Sequence, residues 1–322
     1  MPGDIRREVE RVLRAPVARA ERAYGGYAPS ATFRMRLRDG RRAFFKGSYP
    51  LPATSRVQFK TRREERVYRD LRPVIGRWSP RFLGSFERAG WHVILLEDVG
   101  PATLPPWNAS RARRAAHEYA RFHQASLGRR LPRWLTREQY LEHTSFWSRL
   151  ARTGEIRQTA SLARERRAAA ASWLADALPT LRRAEAALER VRAPYVLLHL
   201  DTRSDNVRLI GERFVMFDWP FASIGPAEFD VAAFAQAVAA EGGPGPERFV
   251  GWYEEVLPLR AAALDVSIAG VAGYFADRAW RPAIRGLPRL RAIQRRQLKV
   301  SLPWAARRLG LPDPGWIDAV PD

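Results

Sequence analysis

The chain has no cysteine, only three lysines and three methionines, and no apolar stretch approaching the roughly 18 residues of a membrane span. The first absence removes disulfides, thiolate metal sites and cysteine nucleophiles together, leaving oxygen and nitrogen chemistry. The opening residues, MPGDIRREVERVLRAP, mix acids with arginines and lack the apolar core of a signal peptide, so a soluble, cytoplasmic chain is expected with no membrane partner. Because lysine is so scarce, the 55 basic residues that set a net charge of +21 are almost all arginine, 52 in number. That skew looks like GC-rich coding rather than selection for phosphate contacts, which makes the charge weak support for a nucleic-acid partner. What is present is 322 residues, 46% of them hydrophobic, enough for one large domain or two ordinary ones around a buried core.

From Thr32 to Lys46, Phe33, Met35 and Leu37 alternate with arginines, Asp39-Gly40 turns the chain, and Ala43-Phe44-Phe45-Lys46 returns, which is a β-hairpin pattern. Residues 61–71 read as a short charged helix, and strands are expected at 81–87 and 92–96 across an Ala89-Gly90 turn. Behind caps at Asn108 or Ser110, the residues Ala112, Ala115, Ala116, Tyr119 and Phe122 recur at helical spacing up to Gly128. Helix is then favoured over 137–150, 160–190, 228–240, 246–257, 261–279 and 288–309, with Pro/Gly clusters between several of them. One non-helical island interrupts the series: YVLLHL, a polar loop DTRSDN, VRLI, the turn Gly211-Glu212, and RFVMFDW. The fold class expected is α+β, with an N-terminal antiparallel sheet domain over 1–97 and a larger, mainly helical domain over 98–322.

The island carries the chemistry. His199, Asp201, Asn206 and Asp218 are polar residues set between apolar strands, in the types and order that phosphoryl transfer requires. One carboxylate must orient or deprotonate an attacking hydroxyl, while an amide oxygen and a second carboxylate hold Mg²⁺ against nucleotide phosphates. Asp201 is the expected base, and Asn206 and Asp218 are the expected metal ligands. The spacing His-x-Asp-x-x-x-x-Asn matches a kinase catalytic loop, and the following strand delivers Asp218. A bland reading, with His199 and Asp201 capping a strand and Asp218 starting a turn, lacks an account of why a lone lysine lies on the N-terminal hairpin. Lys46, in Ala-Phe-Phe-Lys, would hold the α/β-phosphates and pair with a glutamate on the 61–71 helix, Glu64 first and Glu65 second. The stretch from Tyr24 to Ser30, with Gly25 and Gly26, would let backbone amides approach phosphates, although an ordinary turn accounts for it equally. Arg203, two residues beyond Asp201, is placed to neutralise the transferring phosphoryl group.

With these residues in place the chain resembles the aminoglycoside phosphotransferase family, kinase-like enzymes that phosphorylate hydroxyls of antibiotics and small metabolites. The resemblance runs through GGYAPSATFRMRL, AFFK, REERVYRDL, LLEDVG, ARFHQASL, HLDTRSDN, MFDWP and GPAEFDVAAF, with HLDTRSDN and MFDWP the most specific. It implies a bilobal protein-kinase-like fold that binds ATP, with GTP left open as donor, in a cleft. It further implies Asp201 as catalytic aspartate with His199 beside it, Asn206 and Asp218 on magnesium, and Lys46 on the phosphates. Asp230 would support the catalytic loop, and a hinge at Leu96, Glu97 and Val99 would meet adenine through its backbone. The loop interior Thr-Arg-Ser-Asp and the Pro220 after Asp218-Trp219 depart from the family's usual residues without removing a catalytic atom.

Only 12 positions separate Asp218 from Asp230, too few for the activation segment of a protein kinase, so a small hydroxylated acceptor is expected. Residues 219–322 hold 12 basic and 11 acidic residues, leaving room for Glu228, Glu254, Glu255, Asp265 or Asp277 to face a cationic acceptor, and for Tyr274, Phe275 or Trp280 to stack on one. The excess charge elsewhere makes a polycation a less comfortable acceptor than a neutral or acidic molecule. A nucleotide-binding pseudokinase and an arginine-rich nucleic-acid binder are the alternatives; the second is disfavoured because the arginines are dispersed through every segment. Resistance and metabolic roles both fit, and the oligomeric state is left open.

Overall fold

Ile5, Val9 and Leu13 recur every fourth residue and so share one face of a helix, α1 (Gly3–Leu13), to which the sequence reading assigned no element. That face is buried in the same core as Val17, Met35, Leu37, Phe45, Val93 and Leu95. The computed structural model describes residues 1–23, 30–50, 56–101, 104, 106–284 and 287–322, the side chains of 56 and 57 excepted. They form two compact units, one made of 1–104 and 205–222, the other of 105–204 and 223–322.

The first unit is built on a sheet of β1 (Val17–Arg22), β2 (Ser30–Leu37), β3 (Arg42–Ser48), β4 (Phe82–Arg88) and β5 (Trp91–Glu97), ordered β1-β2-β3-β5-β4. Every pairing is antiparallel. The alternation read in 32–46 holds, except that β3 continues past Lys46 to Ser48; Lys46 therefore sits inside the central strand, opposite Thr32 on one side and Ile94 on the other. Gly84 lies at a register shift in β4 with φ +144°, and a Cβ there would come within 2.6 Å of Val12 on α1. The helices α2 (Arg56–Asp70) and α3 (Arg72–Ile75) link β3 to β4, α2 starting earlier than the expected residue 61.

The chain leaves this unit at 104 and, past β6 (Val196–Leu198) of the second unit, returns as the hairpin β7 (Val207–Ile210) and β8 (Arg213–Met216). Met216 N–H donates to the Trp78 carbonyl at 2.7 Å, and Arg213 holds the Glu97 carboxylate at 2.7 and 3.2 Å. These bonds tie 205–222 to the first unit, and Arg34, bonded to Asp98 and the Gly100 carbonyl, ties in the start of 98–104, whereas the sequence suggests a single boundary at 97/98.

The second unit is helical: α4 (Ala109–Ser126), α5 (Glu138–Leu141), α6 (Phe146–Thr153), α7 (Ile156–Ser161), α8 (Arg167–Leu188), α9 (Ala227–Ala240), α10 (Pro246–Glu254), α11 (Ala261–Arg278) and α12 (Leu290–Arg308). Asn108 caps α4, its side chain accepting from Arg111 N–H. The helix expected over 137–150 is split, because the buried Glu185 carboxylate accepts from the amides of Trp147 and Ser148 at 2.7 and 2.8 Å and so starts α6 afresh. The helix expected over 160–190 is split likewise, where Arg164 adopts φ +50° and opens a 3-10 turn. A short strand absent from the sequence reading, β9 (Ser223–Gly225), pairs antiparallel with β6. Trp147 is wholly buried, donates to the Ala269 carbonyl at 2.8 Å, and lies so near α11 that a Cβ on Gly273 would fall 2.7 Å from its ring. Among the described residues no helix is long and apolar enough to cross a membrane.

Glu228, at the start of α9, is buried and takes Arg260 on both oxygens, at 2.8 and 3.0 Å, and Arg260 N–H at 3.0 Å. Burial opposes its charge, but the bonds from Arg260 prevail and hold the carboxyl below its usual range. A depressed native value means that its contribution is present above the unfolded carboxylate range and is lost as pH falls through the native one. Glu228→Gln is expected to lower unfolding free energy at pH 7 by about 1–3 kcal/mol and to flatten the acid limb of stability, as read by urea melts at pH 3 to 7.

Candidate active site

In the first unit, the site begins with an ammonium in the middle of a sheet. Lys46 Nζ lies 2.6 Å from Glu64 Oε2 and 2.8 Å from Asp218 Oδ1, with Glu64 2% and Lys46 15% exposed at the side chain. Burial opposes the lysine charge, but the carboxylates of Asp218 and Glu64 outweigh it and push the pKa up, so the ammonium is kept. Of the two glutamates considered, Glu64 is the partner; Glu65 faces the sheet, where it meets Ser85 Oγ at 2.6 Å and His92 Nε2 at 2.9 Å.

Asp218 follows β8 with φ +68°, a left-handed conformation that few non-glycine residues adopt, which turns the chain directly after the strand. Its side chain remains 31% exposed, the most open of the three ionic partners. Asn206 stands across the hairpin: its carbonyl accepts from Phe217 N–H at 3.0 Å, extending the ladder beyond the Val207 and Met216 pair. A carboxamide and a carboxylate thus stand within one residue of each other at one end of the hairpin. These are the hard oxygen donors that a Mg²⁺ ion shared with phosphates takes, so the residues present fit that ion.

In the second unit, β6 runs into His199-Leu200-Asp201, and its exit is set by Asp230. That fully buried carboxylate accepts from the amides of His199 at 2.6 Å and Leu200 at 2.8 Å, and faces His123 Nε2 at 3.4 Å. Leu200 is thereby held at φ +63°. Burial opposes the Asp230 charge, while the bonds from His123 and its other partners hold the pKa below the usual value. His199 is buried and its Nδ1 faces Asp201 N–H at 3.3 Å, so it orders the loop from within. Arg203 Nε lies 3.2 Å from Asp201 Oδ1, with side-chain exposures of 14% and 28%. Tyr119 bonds Thr202 at 2.7 Å, and Glu241 takes Ser204 Oγ and Trp107 Nε1, both at 2.7 Å, fixing the far side of the loop.

The other expected residues divide. Gly25 and Gly26 lie outside the described residues. Ser30 opens β2, its carbonyl accepting from Arg22 at 3.2 Å. Leu96 is buried between β3 and β4. Glu97 donates its amide to the Arg81 carbonyl at 2.8 Å and gives its side chain to Arg213. Val99 follows Asp98, which pairs with Arg34; Arg34 also donates to the Gly100 carbonyl at 2.6 Å and so fixes this stretch. Of the acids expected to face a cation, Glu228 is committed to Arg260, Glu255 to Arg113 and His117, and Asp265 to Arg308. Tyr68 was passed over. It lies four residues after Glu64 on α2, and its buried phenol is pushed well up, by burial first and then by the charges of Glu64 and Asp218.

The phosphotransferase enzyme family matches residues 25–264, and the chain belongs to that family. It is an enzyme, a small-molecule kinase. A Thermobifida fusca protein assigned as a fructosamine-3-kinase is 19% identical, with a TM-score of 0.54 over 96% of this chain and 99% of that one. A spectinomycin phosphotransferase, solved with ADP and spectinomycin, is 12% identical with a TM-score of 0.56 over 98% of each chain. A thermostable aminoglycoside phosphotransferase mutant, solved with ADP and hygromycin B, is 14% identical with a TM-score of 0.53 over 98% of each chain. At these identities the likeness shows the fold, which is protein-kinase-like. No sequence among the curated proteins matches the chain.

Asp230→Ala would strand two buried amides and is expected to cost about 2–5 kcal/mol of unfolding free energy, measured by denaturant melts. Asp230→Asn, which keeps one acceptor oxygen, should recover part of that loss.

Proposed function

We propose that the protein transfers the γ-phosphoryl group of ATP to a hydroxyl of a small molecule, with Mg²⁺ as the accompanying ion. The observation that carries this reading is the buried Lys46 ammonium held by both Glu64 and Asp218, an arrangement of more charge than a structural ion pair needs. Lys46 would steady the α/β-phosphates, and Asn206 and Asp218 would hold the ion, which when bound offsets charge on the phosphate oxygens. Asp201 would accept the acceptor's hydroxyl proton as the new oxygen–phosphorus bond forms and the bond from the γ-phosphorus to the β-phosphate oxygen breaks, releasing ADP. Arg203, against Asp201, would face the charge of the transferring group. The ADP complexes of the spectinomycin phosphotransferase and of the aminoglycoside phosphotransferase mutant support a nucleotide donor. The acceptor classes that fit are hydroxylated antibiotics of the aminoglycoside or nucleoside type and related metabolites.

Incubation with Mg-ATP and a panel of such acceptors should yield ADP together with an acceptor heavier by one phosphate; ADP formation that never depends on an acceptor would contradict the proposal. Asp201→Asn is expected to lower kcat by about 10²–10⁴ while leaving ATP affinity near the parent value, and Arg203→Ala should show the same signature more weakly. Asp218→Ala should instead weaken Mg-dependent nucleotide binding by about tenfold or more in a calorimetric titration; an unchanged magnesium dependence would remove it as a ligand.

A further inference from the structure

The C-terminal end of α11 gathers more guanidinium charge than its carboxylates neutralise. Asp277, fully buried, takes Arg281 at 2.9 and 3.2 Å, takes Arg149, and lies 3.5 Å from Arg278 Nε. Arg281 also lies 3.5 Å from Glu155. Arg291, from the first turn of α12, donates to the carbonyls of Arg278 at 3.2 Å and Pro282 at 3.0 Å and to Gln294 Oε1 at 2.7 Å, all of them neutral. Among the described residues four arginines therefore share two carboxylates, and the excess falls on Arg278 and Arg291.

A chain of contacts runs from this charge toward the catalytic loop of the same unit. The Arg278 guanidinium lies 5.7 Å from the Tyr274 ring, and that ring meets His143 at 5.8 Å and Phe146 at 5.2 Å. Just before His143, the Tyr140 amide donates to Ser223 Oγ at 3.2 Å; Ser223 pairs with Leu198 in β6, which runs on to Asp201. The Asp201 charge reaches both His143 and Tyr274, and Tyr274 also feels Arg203, Arg278 and Arg291. Burial first, and then the neighbouring Arg278 charge, hold the Arg291 pKa below its ordinary value, with Asp277 offsetting them only in part.

We propose that the acceptor is an anionic hydroxylated molecule, bearing a carboxylate or a phosphate monoester that Arg278 and Arg291 bind while Tyr274 packs on its carbon frame. The proposal rests on the phosphotransfer reading with Asp201 as base, and it disfavours a polycationic acceptor. Guanidinium forks suit either anion, and a cationic amine there would have to displace an arginine from Asp277.

The test is calorimetric titration of the full chain, in saturating Mg-ADP, with glucose, glucosamine, gluconate and glucose 6-phosphate. Gluconate or glucose 6-phosphate should bind about tenfold or more tighter than glucose, the scale of one charge-assisted hydrogen bond, with glucosamine weakest. Which anion leads distinguishes carboxylate from phosphate. Arg278→Met combined with Arg291→Met should abolish the preference, and the single, milder Arg291→Gln should reduce it severalfold, keeping the test available if the double variant fails to fold. Equal affinities across the four probes, undetectable binding included, or a preference intact in the variants, would overturn the proposal. Failure of Mg-ADP itself to bind would instead count against phosphotransfer, independently of the ranking of the four sugars.

Discussion

A single buried ammonium organises the first unit. Lys46 projects from the central strand and is met by Glu64 from α2 and by Asp218 from the segment after β8, so three stretches distant in sequence are held at one point. A charge removed from water is tolerated only when opposite charges stand close, and the lysine between Glu64 and Asp218 meets that condition, while burial pushes the Glu64 carboxyl up from its ordinary pKa. Among the described residues Glu64 Oε1 is nevertheless buried without a hydrogen-bond partner, and Asp218 is held in a left-handed conformation. Polar atoms left unsatisfied and unusual backbone angles cluster where a fold serves chemistry rather than stability. In a chain whose other cations are nearly all arginine, the compact ammonium is the group that fits between two carboxylates without a planar fork to satisfy.

The second unit solves a similar problem with the opposite charge. Asp230 is a buried anion whose partners are mainly backbone amides, and its function is to shape the turn that carries His199 and Asp201. His123 and Tyr119 from α4, and Glu241 directly after α9, then fix the loop by bonding Asp230, Thr202 and Ser204 respectively. Some of the other arginines are spent on ion pairs between elements, such as Arg260 with Glu228 and Arg308 with Asp265.

Much of this was legible in the residues. Period-two alternation located β2 and β3, helical spacing located α4, and the order His199, Asp201, Asn206, Asp218 behind a lone Lys46 pointed to kinase chemistry. What escaped has physical causes. β1 carries alanines and arginines rather than a clear apolar face, and β9 is three residues long and exists through its pairing with β6. The breaks before α6 and α8 come from a distant Glu185 and from a left-handed Arg164, neither of which a local pattern reveals. The fate of Glu97 was also hidden, since its partner Arg213 lies more than a hundred residues away. Glu255 and Asp265 looked available in the sequence because their arginine partners, Arg113 and Arg308, come from other helices.

The first unit is woven from two separated stretches of chain, and this has a consequence for biogenesis. On a ribosome adding about 5–20 residues per second, the sheet made by residues 1–104 must wait several seconds before 205–222 emerge to supply the Asp218 carboxylate and the Arg213 guanidinium. During that interval Lys46 has Glu64 but not Asp218 beside it, and nascent chains stalled before residue 205 would expose an unfinished first unit to proteases and chaperones.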